Sequence, residues 1–491
     1  MRNFYSLYFA LLSMINSLLM VSLLLTPSTL YGIQIESPDI KPVRQNEIAS
    51  THERLRHYQA ARVAWIDSVC QLSEAQKHSL RGVSQKILTE NVIDFERDSA
   101  DTKHQYAPIF DHTILQFANI KIGSRSLHTS SFETQLRALL TSEQFEKMEE
   151  SLHRRSELIS HGYALQITNI IDDDLFLTSS QRPNVCRAIL EKRILDQNPF
   201  PVRSYMRHGF REAISEHDPL HQIFSPMQIA RWNDLTKPNP EIRTGLGICA
   251  NEKPISEWDM ELFLAANSVN EKYERAIRVR TDYVANFAQL DHEASRTLEL
   301  AARGISFRDL QDWRGKMHGY YFELAESMYA SSCVMISVPQ RPKDVESHPI
   351  WQRLSSRYNF QAAMSAREQE IRRDSQEFVV AALDEELWLT KTQREQLRPV
   401  IEKVLQTVEI PTRSPEYSDY PDILLLARFL VQDSIVEIEP LLNNEQRIVF
   451  QQLRSQFVLK NQAILWNQRY GKNQPLGFIR DSAYREHQLH G

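Results

Sequence analysis

The sequence predicts an all-α protein of many helices that follows an N-terminal signal peptide or membrane anchor. Only 13 of the 491 residues are glycine, a residue that sheet-rich folds and phosphate-binding loops need and that long helices exclude. The sequence contains no convincing run of alternating polar and apolar residues of the kind that indicates strands. In addition, a motif that marks helix starts recurs along the chain.

The recurring motif is a large apolar residue, then Ser, Thr, Asp or Asn, then usually Gln three residues later. The cap side chain can accept a hydrogen bond from the first helical turn, and the Gln can reach back to the cap's own N–H, which makes a capping box. Asp291 and Ser355 mark two looser copies. For the other six copies we expect a helix to begin within two residues of the cap: Ser73, Thr141, Thr178, Ser225, Thr390 and Asn443.

The residue three positions after the cap is Gln in six of the eight copies and Glu in none. A solvent-exposed helix start would favour Glu, because the helix dipole stabilises negative charge there. A neutral amide suits a partly buried position, where an unpaired carboxylate is costly. We infer that these helix starts pack against another part of the protein; the rival explanation is copying from one ancestral unit.

The order of the caps predicts an internal duplication. Residues 167–178 align without a gap on 379–390, with acidic, aromatic and capping positions coinciding. We therefore expect Phe176 and Trp388 to occupy equivalent environments, each beside its own helix start. The caps pair in order, at separations of 218, 214, 212 and 218 residues: Ser73 with Asp291, Thr141 with Ser355, Thr178 with Thr390, and Ser225 with Asn443.

This duplication divides the chain into segments. A linker with three prolines and two glycines lies between the halves and breaks helical periodicity. The weakly periodic C-terminus is expected to fray. The predicted segments are a signal peptide or anchor at 1–32, half A at 33–235, the linker at 236–256, half B at 257–470 and the frayed tail at 471–491.

The N-terminus predicts export from the cytoplasm. Arg2 is the only charged residue of the segment 1–32, and residues 4–25 form an uncharged, largely apolar run. A positive start followed by an apolar run is typical of a secretory signal, but a run of this length can also span a bilayer. We expect the protein in the periplasm or cell envelope. It would contact the inner membrane only through residues 4–25, and only if the signal is not cleaved.

Four cysteines would then lie in an oxidising compartment: Cys70, Cys186, Cys249 and Cys333. Four cysteines allow three pairings, and the sequence does not choose among them. Free buried thiols are an equal alternative to a single disulfide, because a domain of this size does not need a disulfide to fold. Their spacings resemble no metal-binding pattern.

The sequence offers no strong candidate for catalysis, cofactor binding or metal binding. It lacks the phosphate-binding glycine loop, G-x-S-x-G, HExxH and CxxC. The net charge of −6, with both signs interspersed, argues against nucleic-acid binding. A histidine pair within 216–221 has zinc-like spacing, but Pro219 disrupts that geometry unless it begins a helix, so a solvent-exposed loop is favoured. The acidic triplets 172–174 and 384–386 are expected at the solvent-exposed surface.

Two resemblances follow from these motifs. The element Leu-Thr-x-x-Gln, at 140–144, 177–181 and 389–393, resembles the LTxxQ signature of small periplasmic helical proteins, which include stress chaperones and metal-sensing regulators. The chain lacks the Met- and His-rich ends of those proteins, so their activities do not carry over. The chain also resembles large exported proteins of planctomycete-type bacteria, and this resemblance implies a location only. The segments that carry it are 69–76 (VCQLSEAQ), 298–304 (LELAARG) and 387–397 (LWLTKTQREQL).

These observations favour a non-catalytic, exported helical interaction or scaffold protein of the bacterial envelope with an unidentified protein partner. The alternative is a periplasmic chaperone-like binder of unfolded or stress-damaged clients. A hydrolase or metalloenzyme with an unrecognised site is a third hypothesis. An apolar groove would favour the chaperone, and a cleft with clustered His, Asp or Glu would favour the enzyme.

Overall fold

The fold is all-α, as predicted. In the computed structural model of the chain, helices account for 87% of the described residues and no strand occurs among them. None of the described helices combines the length and apolar character that a membrane crossing requires. The predicted signal or anchor (1–32), the interior of the linker (237–254) and the tail (471–491) lie outside the described residues. The structure describes residues 40–101, 130–191, 218–236, 255–325, 345–408, 410 and 421–455.

The described residues form 15 helices, one of which is a 3-10 helix. The helices of predicted half A are α1 (Ile40–Cys70), α2 (Glu74–Asp101), α3 (Ser130–Leu139), α4 (Ser142–Leu175), α5 (Gln181–Glu191), α6 (Pro219–Ile223) and α7 (Pro226–Thr236). The helices of predicted half B are α8 (Ile255–Phe287), α9 (His292–Ala325), α10 (Pro349–Tyr358), α11 (Phe360–Leu387), α12 (Lys391–Leu405), α13 (Pro421–Leu430), the 3-10 helix (Asp433–Leu441) and α14 (444–455).

The chain divides into two compact units, 1–53 and 54–491. In the first unit the structure describes the helical residues 40–53. All the packing described below lies within the second unit, which contains helices from both predicted halves.

Most helices begin where the capping motif predicts. Ser73, Thr141, Ser225 and Thr390 each directly precede a helix, and so does Asn443. At Thr141 and Thr390 both hydrogen bonds of the capping box are present. The looser copy at Asp291 is also a helix start, since its carboxylate accepts the N–H of Ala294 at 2.8 Å.

One predicted helix start and one looser copy of the motif differ from the structure. Helix α5 begins at Gln181, three residues after Thr178, although the Thr178 hydroxyl still accepts the Gln181 N–H at 3.3 Å. The looser copy at Ser355 does not begin a helix, because Ser355 lies inside α10. That helix begins at Pro349, whose fixed φ suits the first helical turn. The following helix starts after Asn359, which has φ of 52° and makes no side-chain capping bond.

The centre of the molecule is built from both predicted halves. Helices α4 and α11 run antiparallel and have the most extensive contact in the structure. Gly162 permits their close approach, since a Cβ there would clash with the Cβ of Ala381 and lie 3.1 Å from the Glu377 carbonyl oxygen. The central core includes apolar residues of α4 and α5 together with those of α11 to α14.

Two further cores flank the centre, and each contains one aromatic residue from the other half. The first core is formed by residues of α1 to α3 and the start of α4, and it includes Trp388 from half B. The second is formed by residues of α8 to α10 and the start of α11, and Phe176 from half A packs against it. Trp388 is 240 or more positions away from every half A member of the first core, and Phe176 is 90 to 187 positions away from the buried members of the second.

Candidate functional site

The six glutamines of the capping motif form three glutamine pairs, Gln76 with Gln144, Gln181 with Gln228, and Gln393 with Gln446. In each pair, the Oε1 atom of a glutamine accepts the N–H of its own cap, as in Ser73 N to Gln76 Oε1 at 3.0 Å. The Nε2 atom of each glutamine makes two further hydrogen bonds. It donates to the Oε1 atom of the partner glutamine and to a backbone carbonyl just before the partner's capping residue, where the preceding helix ends.

The third glutamine pair illustrates the geometry. Gln393 Nε2 donates to Gln446 Oε1 at 2.7 Å and to the Leu441 carbonyl at 3.0 Å. Gln446 Nε2 donates to the Trp388 carbonyl at 3.0 Å and to Gln393 Oε1 at 3.1 Å. Ionised Glu could not replace Gln here, because a carboxylate has no N–H to donate. The inference that these helix starts pack against another part of the protein is confirmed.

The helix start at Asp291, a looser copy of the motif, has a different chemistry. The positions three residues after Asp291 and Asn359 are Ala294 and Ala362. The Tyr358 hydroxyl instead donates to the Asp291 carboxylate at 2.6 Å, which lowers the pKa of Asp291. A tyrosine–aspartate bond therefore links this helix start to the end of α10.

Four of the six residues in the acidic triplets are buried, contrary to the sequence-based expectation of a solvent-exposed surface. Asp172 and Asp384 are fully buried, and Asp174 and Glu386 are at most 4% exposed. Asp174 forms an ion pair with Arg231 at 3.1 Å. The triplets end α4 and α11, and those helix ends are covered by the opposite half, which explains their burial.

Asp172 holds a turn and joins the two halves. Its Oδ1 accepts the Leu177 N–H at 2.5 Å. Its Oδ2 lies 2.8 Å from Arg182 and 2.9 Å from Arg367, which belongs to half B. Burial raises the pKa of Asp172, and the two guanidinium groups oppose that rise. Asp172 is therefore held by arginines from both halves.

Asp384 has a matching arrangement. It accepts the Leu389 N–H at 2.7 Å and lies 3.1 Å from Arg394 of its own half. Arg155 of half A lies 3.4 Å from the same carboxylate and donates to the Asp384 main-chain carbonyl at 2.6 Å. The two arginines that cross between halves, Arg155 and Arg367, are 212 positions apart, the same separation as Asp172 and Asp384.

Phe176 and Trp388 follow these buried aspartates. Both have positive φ, 50° and 54°, which is unusual for bulky residues and costs about 1–2 kcal/mol. Their backbone N–H groups close the preceding helices by bonding to the carbonyls of Asp172 and Asp384. The left-handed turn points each aromatic ring away from its own helix and into the other half.

We call the surroundings of Trp388 the Trp388 site. The ring lies 5.3 Å from Trp65 and 5.9 Å from Tyr58, both on α1. The guanidinium carbon of Arg155 lies 3.7 Å from the ring centroid and that of Arg62 lies 5.1 Å away, both within cation–π range. Burial lowers the pKa of Arg62 to about 10 and raises that of Tyr58 to about 12.

The Phe176 site is built from the same kinds of residue. The Phe176 ring lies 6.1 Å from Tyr283 on α8. The guanidinium carbon of Arg367 lies 4.4 Å from its centroid and that of Arg280 lies 5.5 Å away. Arg280 also lies over Trp351, as Arg62 lies over Phe132 in the Trp388 site.

Corresponding residues of the two sites are separated by 212 to 219 positions: Arg62 and Arg280, Trp65 and Tyr283, Phe132 and Trp351, Arg155 and Arg367. Phe176 and Trp388 thus meet similar residue types, while their predicted position beside their own helix starts is wrong. Each ring packs against the first helices of the opposite half.

The remaining sequence candidates fall in different places. Pro219 begins α6, and the Asp218 side chain caps it by accepting the Leu220 N–H at 2.9 Å. His221 lies on this helix, whereas Glu216 and His217 are outside the described residues. Within the ranges that the structure describes, no group of three or more His, Cys, Asp or Glu is placed to hold a metal ion.

Cys70 and Cys186 are free and buried, and burial raises the pKa of each thiol to about 11. Cys249 and Cys333 lie outside the described residues. Cys186 Sγ is 3.7 Å from His161 Nδ1. At neutral pH both described thiols are protonated and therefore weakly nucleophilic.

No protein-family model, curated protein or solved structure matches this chain. The functional interpretation therefore rests on the geometry of the chain itself. That geometry brings buried arginines, carboxylates and aromatic rings together at the contact between the halves.

Proposed function

We propose that this chain is a non-catalytic, exported helical interaction or scaffold protein of the bacterial envelope. The observation that carries the proposal is the use of its buried charged residues. Three buried arginines join the two halves, because Arg155 pairs with Asp384, Arg367 with Asp172, and Arg182 with Asp374. Groups held in such pairs stabilise one fixed arrangement of helices, as a scaffold requires.

The duplication is part of this proposal. Half A and half B would be copies of one helical unit that have kept the same contacts. The similar separations between corresponding residues of the Trp388 and Phe176 sites support this origin. Three glutamine pairs with one hydrogen-bonding pattern support it as well.

The outer surface of α8 and α9 is the region we propose for partner contact. Phe307 is 64% exposed, and Leu264 and Leu300 are each 58% exposed. Leu300 and Phe307 are seven residues apart and therefore lie on one face of α9, and an exposed apolar face is typical of protein–protein contact surfaces.

Localisation is the first test. A C-terminally tagged full-length protein, expressed in a Gram-negative host, should fractionate with the periplasm or inner membrane. N-terminal sequencing then distinguishes a cleaved signal from an anchor. Recovery of full-length protein in the cytosol would contradict the export part of the proposal.

Site-specific photo-crosslinking tests the interaction part. A photo-reactive residue in place of Phe307 should give a discrete adduct in intact cells of the source bacterium. The matched control carries it in place of Lys391, whose side chain is 83% exposed on α12. Equal labelling at both positions, or no adduct at Phe307, would argue against a specific partner on this surface.

A chaperone-like binder of unfolded clients is the second candidate, and the same exposed apolar residues favour it. In that case the purified protein should suppress aggregation of a reduced or heat-denatured model client. Replacing Leu300 and Phe307 with Ser should remove this effect without changing the helical circular dichroism spectrum. No suppression by the wild-type protein would exclude the chaperone.

A further inference from the structure

The contact between the halves is reciprocal. Half A contributes Trp65 and Arg62 to receive Trp388, and half B contributes Tyr283 and Arg280 to receive Phe176. In a two-fold symmetric dimer interface, each subunit likewise inserts a residue into the partner and accepts the same residue from it. Here that form occurs within a single chain.

The charged contacts follow the same rule. Arg155 of half A crosses to Asp384 of half B, and Arg367 of half B crosses to Asp172 of half A. Both arginines also lie over the aromatic ring that they help to receive. Every one of these contacts joins a residue of half A to a residue of half B, so the contacts are the same whichever molecule supplies half B.

We propose that two copies of this chain exchange halves, so that half A of each copy pairs with half B of the other. Exchange keeps every contact of the Trp388 and Phe176 sites and changes only the path of the chain between Thr236 and Ile255. That connection contains Pro238, Pro240 and Pro254, which disfavour a continuous helix there. Because the contacts are the same, the ratio of exchanged dimer to monomer is set by protein concentration.

Complementation between two defective full-length chains tests the exchange. One chain carries Trp388→Ala, which removes the ring that half B supplies. The other carries Trp65→Ala, which damages the place in half A that receives it. Each monomer has one damaged Trp388 site. When the two are unfolded and refolded together at high concentration, an exchanged heterodimer contains one undamaged pair of halves.

The expected result is a dimer fraction, isolated by size-exclusion chromatography, that unfolds partly at the wild-type temperature. Neither variant refolded alone should show this component. The matched control combines Trp388→Ala with Leu298→Ala, a buried residue of the second flanking core. Both changes lie in half B, so exchange cannot produce an undamaged pair, and the wild-type component should be missing.

A second measurement applies if either alanine variant fails to fold. Wild-type chains labelled separately with donor and acceptor dyes are unfolded, mixed and refolded, and the proposal expects energy transfer together with a doubled mass. Trp388→Phe can then replace Trp388→Ala, since phenylalanine occupies the corresponding position 176. Refolded wild-type protein that stays monomeric without energy transfer would overturn the proposal, as would a wild-type component in the control mixture.

Discussion

The Trp388 site and the Phe176 site share one design but differ in how far they are closed to solvent. Trp388 is 0% exposed and Arg62 is 2% exposed, whereas Phe176 is only partly buried. The Arg280 side chain is 15% exposed and forms an ion pair with Glu346 near the surface. The Trp388 ring is thus closed off from solvent, and the Phe176 ring is not.

This difference indicates that two sites with the same backbone arrangement can contribute unequally to the free energy of unfolding. In the closed site, burial lowers the pKa of Arg62 and raises that of Tyr58. Burial therefore disfavours the charged form of Arg62. The surrounding aromatic rings and charges offset this cost, so their removal should destabilise the site. The first flanking core should therefore lose more stability without Trp388 than the second flanking core loses without Phe176.

Removal of each aromatic ring gives the largest expected effect. Trp388→Ala should lower the free energy of unfolding by about 3–5 kcal/mol, because it leaves a large cavity in a closed core. Phe176→Ala should cost about 1–2 kcal/mol, since the ring is only partly buried. Chemical denaturation of the two variants measures the difference. Equal losses would show that the two sites are energetically equivalent.

The buried arginines allow a second comparison. Arg182 contacts Asp172 and Asp374, at 2.8 and 2.6 Å, while Arg394 contacts Asp384 and has a more exposed side chain. Arg182→Met should destabilise the protein by about 3–5 kcal/mol, because it leaves buried carboxylates short of charge.

Arg394→Met should cost about 1.5–3 kcal/mol, the range for a hydrogen bond to a charged group. Thermal unfolding monitored by circular dichroism checks both arginine variants. The reverse order would mean that Arg367 alone compensates for the loss of Arg182 at Asp172.

The glutamine pairs give a smaller effect. Gln446→Glu should cost about 1–3 kcal/mol at neutral pH, because the carboxylate loses both N–H donors in a buried position. Gln446 is 1% exposed, and the matched variant Gln76→Glu changes a half-buried residue and should cost less. Denaturant titration at pH 7 and pH 4 should show the Gln446→Glu loss shrinking on acidification, as protonation restores a donor. A loss independent of pH would point to packing instead.

The caps give the smallest effect. Thr178→Ala and Thr390→Ala should each cost about 0.5–2 kcal/mol, the range for losing a helix N-cap. Ser355→Ala is the control, because Ser355 lies inside α10, where alanine is the better helix former. Its stability should be unchanged or slightly higher. A comparable loss at Ser355 would show that the two threonines act through something other than capping.

The sequence predicted those parts of the fold that depend on local chemistry. Thr141 and Thr390 carry the full capping signal within four residues, so their helix starts could be identified directly. The αL turn at Trp388 could not, because a tryptophan with positive φ is disfavoured locally and is held by contacts from distant helices.

The candidate site was missed for the same reason. Asp172 and Asp384 look like solvent-exposed charge in the sequence, since their partners Arg367 and Arg155 lie 195 and 229 positions away. One signal was available. Gln181-Arg182 aligns with Gln393-Arg394 at a separation of 212 residues, and Arg155 and Arg367 share that separation. Extending the aligned window towards the N-terminus would have found the arginines that pair with the acidic residues.

The position of Trp388, in half B of the sequence but in a core of half A, affects folding during biosynthesis. Met148, the last buried half A residue of the first flanking core, emerges from the ribosome 240 residues before Trp388 does. At a translation rate of about 5–20 residues per second, Trp388 is synthesised on the order of 10–50 s after the half A residues of this core. During that interval the nascent half A exposes Trp65 and Arg62, so it cannot reach its final fold before most of half B has been translated.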